Sequence, residues 1–264
     1  MAWTNKDIGG IIFSQYTEDY WSGEHFIKDH AFMYIQEGNL QLLDAGECLS
    51  FTSGEMLLVR KNSLARLIKR PPPGGGRFLA VNVFMDEETL KKTGMEMERG
   101  GKKPHDTAIR IKEDAFLKNY LTSLVPYQEQ AAPEDLVAHK IRELVMLLVR
   151  NNPELKTLLF DFTQPGKIDL KAFMLRNFRY NVTLDKLAYL TGRSLATFKR
   201  DFEKIFDSTP SRWLREQRLK EAHFLISEKK VKPSDAYLEV GFESLAHFSY
   251  AFKQYFGKNP SAVG

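Results

Sequence analysis

The sequence predicts an α+β protein: an N-terminal β-barrel or jelly roll with helices, followed by an all-α domain holding two helix-turn-helix units. Three observations carry this. Short apolar or alternating runs crowd residues 8–84 between turn signals. From Asp86 the apolar period becomes helical. Residues 194–210 recur fifty positions on, as 244–260, with seven of seventeen positions identical: Ser194/Ser244, Leu195/Leu245, Ala196/Ala246, Phe198/Phe248, Phe202/Phe252, Phe206/Phe256 and Pro210/Pro260.

The candidate strands are 11–13, 31–35, 40–43, 49–51, 56–59, 64–68 and 78–84. Turn signals stand between them at Glu37-Gly38-Asn39, Asp44-Ala45-Gly46 and Ser53-Gly54-Glu55. Such spacing suggests a small barrel or jelly roll. Three prolines and three glycines at 71–76 cannot join a ladder, so an exposed loop is expected there.

Asp86 is placed to cap a helix reaching about Gly94, with Glu87 and Glu88 in its first turn. A loop is expected over 97–105, then helices near 114–124 and 133–151. The last carries a wide apolar stripe of Leu136, Val137, Ile141, Leu144, Val145, Leu147 and Leu148. That stripe suits either packing on the barrel or a dimer seam through Leu136, Ile141, Leu144, Val145 and Leu148. Thr163-Gln164-Pro165-Gly166 breaks the pattern, which sets the domains at 1–165 and 166–264.

Every later element is helical. A helix spans about 169–178, Thr183 is placed to cap 184–190, Gly192 makes a turn, and Ser194 caps a helix to about Phe206. Thr209-Pro210 opens a long helix to about Glu228, with Leu214, Leu219, Ala222, Leu225 and Ile226 inward. Pro233-Ser234 opens a short helix to Val240, Gly241 turns, and Ser244 caps the last major helix. Asn259-Pro260 repeats the Thr209-Pro210 signal.

Composition narrows the function. The 43% hydrophobic and 12% aromatic content fits a folded soluble protein. No apolar run reaches membrane-spanning length, the first residues lack a signal segment, and Cys48 is alone. A cytoplasmic protein without a disulfide framework is expected. Charge is uneven. Residues 1–166 carry 20 Lys and Arg against 23 Asp and Glu, a balance of −3; residues 167–264 carry 18 against 11, a balance of +7. The basic part points to a polyanion.

A helix, a tight glycine turn and a second capped helix make a helix-turn-helix, and here that happens twice. Phe198, Phe202 and Phe206 share one face and should be core, as should Phe248, Phe252 and Phe256. The outward side then offers Ser194, Ala196, Thr197, Lys199, Arg200 and Lys204 in the first unit. The second offers Ser244, Leu245, Ala246, His247, Ser249, Tyr250 and Lys253. The N-terminal turns of such helices reach base edges in the major groove. Arg200 has the fork for guanine O6 and N7, Lys199 reaches guanine or phosphate, and His247 and Tyr250 suit a base edge or phosphate. The serines are first of all caps, whose amides also attract phosphate.

These residues resemble the AraC/XylS family of transcription regulators. The resemblance runs through Val240-Gly241-Phe242-Glu243-Ser244, Phe248, Ala251-Phe252-Lys253, Phe256-Gly257 and Pro260. The long helix matches through Arg218-Leu219-Lys220-Glu221-Ala222 with Leu225-Ile226. The first unit matches through Leu187-Ala188, Gly192, Ser194, Phe198, Arg200 and Phe202. The resemblance covers about 168–264 and implies activation of nearby promoters, with RNA polymerase as a partner. Two departures stand out. Ala236-Tyr237 replaces the usual Ile-Ala before the second turn, and Leu245-Ala246 replaces polar groups. Direct readout by the second unit is therefore expected to be thin, with backbone contacts or shape in its place. Residues of about 10–90, through Glu24-His25-Phe26, Tyr34–Gly38, Ser53-Gly54-Glu55 and Arg60–Ser63, resemble the cupin-like regulatory domain of the branch that includes type III secretion activators.

Rival readings are an effector-gated sensor, whose barrel binds a small molecule near Trp21, Tyr34, Phe51, Arg60 and Arg66, and a metal-dependent cupin enzyme. His25 and His30 are five apart, which suits one strand face poorly, and no His lies between Glu37 and His105. No nucleophile, paired-carboxylate or phosphate-loop motif stands out, so no catalytic residue, metal or cofactor is assigned. The expected partners are double-stranded DNA, RNA polymerase, an effector that is a small molecule or a protein, and a second copy of the chain.

Overall fold

The computed structural model describes residues 3–22, 26–44, 47–94 and 106–263. The expected turn at Ala45-Gly46, the loop over 97–105, and His25 and His105 lie outside them. Two compact units divide the chain: among the described residues the first holds those up to Thr163 except Phe26, and the second holds Phe26 and those from Gln164.

In the first unit the strands are β1 (Trp3–Ile8), β2 (Ile11–Tyr16), β3 (Tyr20–Trp21), β4 (Phe26–Ile27), β5 (His30–Glu37), β6 (Asn39–Asp44), β7 (Glu47–Thr52), β8 (Met56–Val59), β9 (Ser63–Leu64), β10 (Arg66–Arg70), β11 (Phe78–Met85) and β12 (Ala108–Ile111). They form an open six-stranded sheet, β1-β2-β11-β5-β8-β12, a four-stranded sheet, β3-β10-β6-β7, and the pair β4-β9. Both larger sheets are antiparallel. Of the two expected forms, barrel or jelly roll, the strands make no closed barrel; they form separate sheets in a mixed α+β domain. The strand expected over 64–68 is divided at Ala65 into β9 and β10.

Alternation along the strands explains the layers. On β5, Phe32 belongs to one apolar cluster while Ala31, Met33 and Ile35 belong to another. On β8, Met56 and Leu58 take the first cluster, Leu57 and Val59 the second. The six-stranded sheet is therefore buried on both faces, which is why its middle strands read as unbroken apolar runs. The second cluster joins it to Leu40, Leu42 and Phe51 of the smaller sheet. The first is closed by helices α1 (Glu87–Lys92), α2 (Ala115–Ser123), α4 (Glu134–Asn151) and α5 (Leu155–Leu159); α3 (Val125–Glu129) joins α2 to α4. Asp86 and Asp114 cap α1 and α2 by accepting from the Thr89 and Leu117 amides.

The apolar stripe of α4 is used inside the chain. Ile141, Leu144, Val145 and Leu148 are buried among Ile11, Phe13, Phe32, Val81 and Val83. Leu136 is 49% exposed. Four of the five residues expected at a dimer seam thus serve the chain's own core. The residues expected at a ligand mouth are distributed between the two clusters and one ring contact. Tyr34 packs on the first cluster, Phe51 sits in the second, and Arg66 lies 5.9 Å from the Trp21 ring. Among the described residues no group of His, Cys, Asp and Glu has metal-binding geometry, and no helix is long and apolar enough to cross a membrane.

The second unit runs α6 (Leu170–Asn177), α7 (Leu184–Leu190), α8 (Leu195–Phe206), α9 (Pro210–Ser227), α10 (Pro233–Glu239), α11 (Leu245–Phe256) and a 3-10 turn, Pro260–Ala262. Thr183 and Thr209 occupy the expected cap positions with extended backbones but without a side-chain cap bond. Asp169, by contrast, caps α6 through the Ala172 amide.

Candidate nucleic-acid interface

Each unit of the repeat is built from its glycine turn. Gly192 has φ +66° and Gly241 has φ +87°, a region that disfavours a side chain. Close approach also selects glycine here: a Cβ at Gly192 would collide with the Gly166 backbone, and one at Gly241 with the Arg179 carbonyl. Ser194 Oγ then accepts from the Thr197 amide at 3.3 Å, and Ser244 Oγ from the His247 amide at 3.4 Å. The two second helices therefore start at the same point of the repeat.

The phenylalanine stripes anchor them. Phe198 and Phe202 are fully buried, as are Phe248 and Phe252. Phe206 and Phe256 are half-buried at the helix ends. Trp213 of α9 lies 5.6 Å from Phe202 and 4.6 Å from Phe206. In the second unit His223 of α9 lies 6.1 Å from Phe252 and 4.7 Å from Phe256. One long helix thus receives both second helices, each through a ring contact. Tyr237 packs 6.4 Å from Phe248 while Ala236 is fully buried, so the large residue at this departure from the family pattern adds to the second unit's core.

With the stripes inward, the outward residues fall where the spacing expects. Ser194, Ala196, Lys199, Arg200 and Lys204 are exposed and Thr197 is half-exposed. Ser244, Leu245, Ala246, His247, Tyr250 and Lys253 are exposed and Ser249 is half-exposed. The faces differ in chemistry. The first bears the Arg200 fork, whose nearest carboxylate, Asp201, is 3.9 Å away. The second begins with Leu245 and Ala246, and its His247 ring lies 5.7 Å from Phe242.

Two arginines that sequence reasoning did not single out for this role hold the units in shape. Arg193 is bound on three sides: Nε donates to Asp201 at 3.1 Å, and Nη1 donates to the carbonyls of Ile168 at 3.0 Å and Thr191 at 2.7 Å. Hydrogen bonding from Arg193, with Lys167 at 3.6 Å, holds the Asp201 carboxyl below its usual range. Arg218 of α9 donates to the carbonyls of Phe178 at 2.8 Å, Gly241 at 3.1 Å and Tyr180 at 2.7 Å. Burial pulls its pKa down to about 10, so it stays charged at neutral pH. It ties the segment before α7 and the turn before α11 to one helix. The sequence signal was adjacency to the turn for Arg193; the carbonyls that Arg218 reaches are 23 to 40 positions away and leave no local signal.

A duplicated, capped helix with a buried aromatic stripe and an outward basic face defines a helix-turn-helix DNA-binding regulator. Comparison with known proteins agrees. Residues 187–264 match the family described as "Helix-turn-helix domain", and residues 30–158 match "ExsA N-terminal regulatory domain". The chain is 26% identical over 247 residues to the thermoregulatory protein LcrF of Yersinia pestis, covering 89% of this chain and 88% of LcrF. It is 26% identical over 242 residues to the HTH-type transcriptional regulator ExsA of Pseudomonas aeruginosa, covering 89% and 85%. Among solved structures, an apo form of a ToxT variant from Vibrio cholerae aligns over 97% of both chains at 14% identity and a TM-score of 0.47. Together these matches support an AraC-type transcription regulator, with an N-terminal regulatory domain and a C-terminal helix-turn-helix domain.

Proposed function

We propose that this chain activates transcription by placing α8 and α11 in successive major-groove segments on one face of a duplex. The observation that carries this is the repeat itself: two equally capped helices docked on one linking helix, each with its stripe inward and its polar side outward. A helix ~10–12 Å across fits a major groove ~12 Å wide, and a second copy suits a ligand that repeats every ~34 Å. Activation rather than repression is supported by relatives such as the virulence regulon transcriptional activator VirF of Yersinia enterocolitica, 26% identical over 247 residues. In this reading Arg200 and Lys199 read bases and the second unit contributes mainly backbone contacts. The N-terminal unit regulates, through an effector that is a small molecule or a protein, and RNA polymerase is the partner at the promoter. The protein acts in the cytoplasm and catalyses no reaction. A homodimer would pair through the outer side of α4, where Leu136 and Met146 are exposed, since the stripe is occupied. The division of domains is set at 165/166, in the segment between the helices of the first unit and α6.

The test is selection of bound sequences from a random duplex library by the full-length protein at ~150 mM salt, where phosphate attraction no longer hides specificity. Two boxes centred about one helical turn apart are expected. Enrichment of a single box would remove the two-groove reading.

A further inference from the structure

Beside α11 lies a groove of about 430 Å³, walled on the other side by α9. Arg212, Arg215 and Glu216 line it from α9, and His247, Tyr250 and Tyr255 from α11. Glu216 takes Arg212 at 2.9 Å, which neutralises that pair. Arg215 is exposed and makes no ion pair among the described residues, so the groove keeps one uncommitted guanidinium beside two phenols and an imidazole. Such a set offers hydrogen-bond donors and one net positive charge, and its complement is a single phosphate.

The position of the groove identifies which phosphate. His247 and Tyr250 belong both to it and to the outward side of α11. A helix that fills a major groove meets base edges with its leading face and the sugar–phosphate walls with its flanks. The leading turn of α11 presents Leu245 and Ala246, neither of which has a side-chain hydrogen-bonding group. The flank toward α9 is where the polar groups are gathered.

We infer that this groove clamps a backbone phosphate of the DNA strand bordering the segment entered by α11, with Arg215 supplying the charge and Tyr250 and His247 donating hydrogen bonds. The inference rests on the DNA-binding reading above. It divides the labour within the repeat: the first unit selects sequence and the second holds the backbone. Arg215 therefore contributes affinity without base preference.

The test measures affinity against salt concentration for full-length wild type, Arg215→Ala and Arg215→Lys, on a random-sequence duplex and on a duplex enriched by selection. Arg215→Ala is expected to bind both roughly tenfold more weakly, the loss of a charge-assisted hydrogen bond. Its slope of log affinity against log salt should be shallower by about 0.9, one phosphate's counterion release. Arg215→Lys should restore the slope, which a merely structural role for the arginine stem would not require, and the enriched motif should be unchanged. An unaltered slope in Arg215→Ala, with an unaltered melting temperature, would overturn the clamp while leaving DNA binding intact. A changed base preference would overturn it too, by placing Arg215 on a base. Wild type that binds neither duplex at any salt would remove the underlying reading as well.

Discussion

Lys69 is a single residue with a measurable consequence. It is 9% exposed, and its Nζ lies 4.6 Å from the ring centroid of Tyr16, 5.4 Å from that of Tyr20 and 5.9 Å from that of Phe78. It donates to the Tyr16 hydroxyl at 3.3 Å. Ring faces attract the ammonium, but burial wins and pulls its pKa from 10.5 to about 8. Below pH 8 the amine is protonated in both folded and unfolded chains, and the full cost of burying charge is present. Between 8 and 10.5 the folded chain loses the proton first, so the unfolded chain binds more protons and stability rises with pH. Lys69→Met should therefore be more stable than wild type at about pH 7, by on the order of 3 kcal/mol, and the gap should close toward about pH 10. Urea unfolding at the two pH values measures it; a gap of equal size at both would refute the burial cost. The repeat supplies a second case. Asp207 ends α8 at φ +48° where Gly257 ends α11 at φ +76°. Asp207→Gly relieves a left-handed aspartate and should raise stability by about 0.5–1 kcal/mol, read as an increase in Tm. A lower Tm would mean that the unfolded-state entropy added by glycine outweighs the strain.

At the scale of elements, α4 divides two roles between its sides. Leu144 is fully buried in the core of the first unit, and Leu136 is half-exposed on the same helix. Leu144→Ala should cost about 2–5 kcal/mol through transfer and cavity terms and leave the oligomeric state alone. Leu136→Glu should leave the fold intact and dissociate any dimer that uses the outer side. Chemical unfolding and sedimentation on the pair distinguish the roles. A Leu144→Ala protein of wild-type stability would contradict the core assignment, and a Leu136→Glu protein whose association state is unchanged would remove α4 from the dimer proposal. The linking helix α9 is arranged differently, since it buries Trp213, Leu214, Leu219, Ala222 and Ile226 around its circumference and serves both units at once.

For the whole molecule, the uneven charge sets the expectation: −3 over residues 1–166 and +7 over 167–264. Polyanion binding by the second unit should be steeply salt-dependent, with sequence preference contributed mainly from α8. Arg200→Ala should cost ~1–3 kcal/mol on an enriched duplex and relax preference at one base pair. Binding of enriched and scrambled duplexes like that of wild type would remove Arg200 from the reading face.

Much of this was legible because it is local. Ser194 and Ser244, the fourfold-spaced phenylalanines and the two turn glycines lie within one or two helical turns of what they act on, so the repeat declared its caps, its core face and its outer face. Sequence also identified the capping aspartate Asp86, the start of a helix near Asp114 and the helix that carries the Leu136–Leu148 stripe. What escaped it depends on partners distant in the chain. The polar strand β1 exists because β2 pairs with it, and β12 because β8 does. Two-sided burial of the six-stranded sheet decided between the expected barrel and jelly roll, and filled the stripe of α4 from within. Thr183 and Thr209 look like caps by residue type but make no cap bond, because a hydroxyl's rotamer is set by its surroundings. Arg218, Arg193 and the α9–α11 groove likewise became visible only in three dimensions. Sequence by itself determined the helices of the repeat, their duplication and their outward faces, since periodicity and capping are properties of near neighbours. Tertiary structure alone decided which apolar stripe was buried inside and which arginines were consumed as staples, since both depend on contacts between residues far apart in the chain.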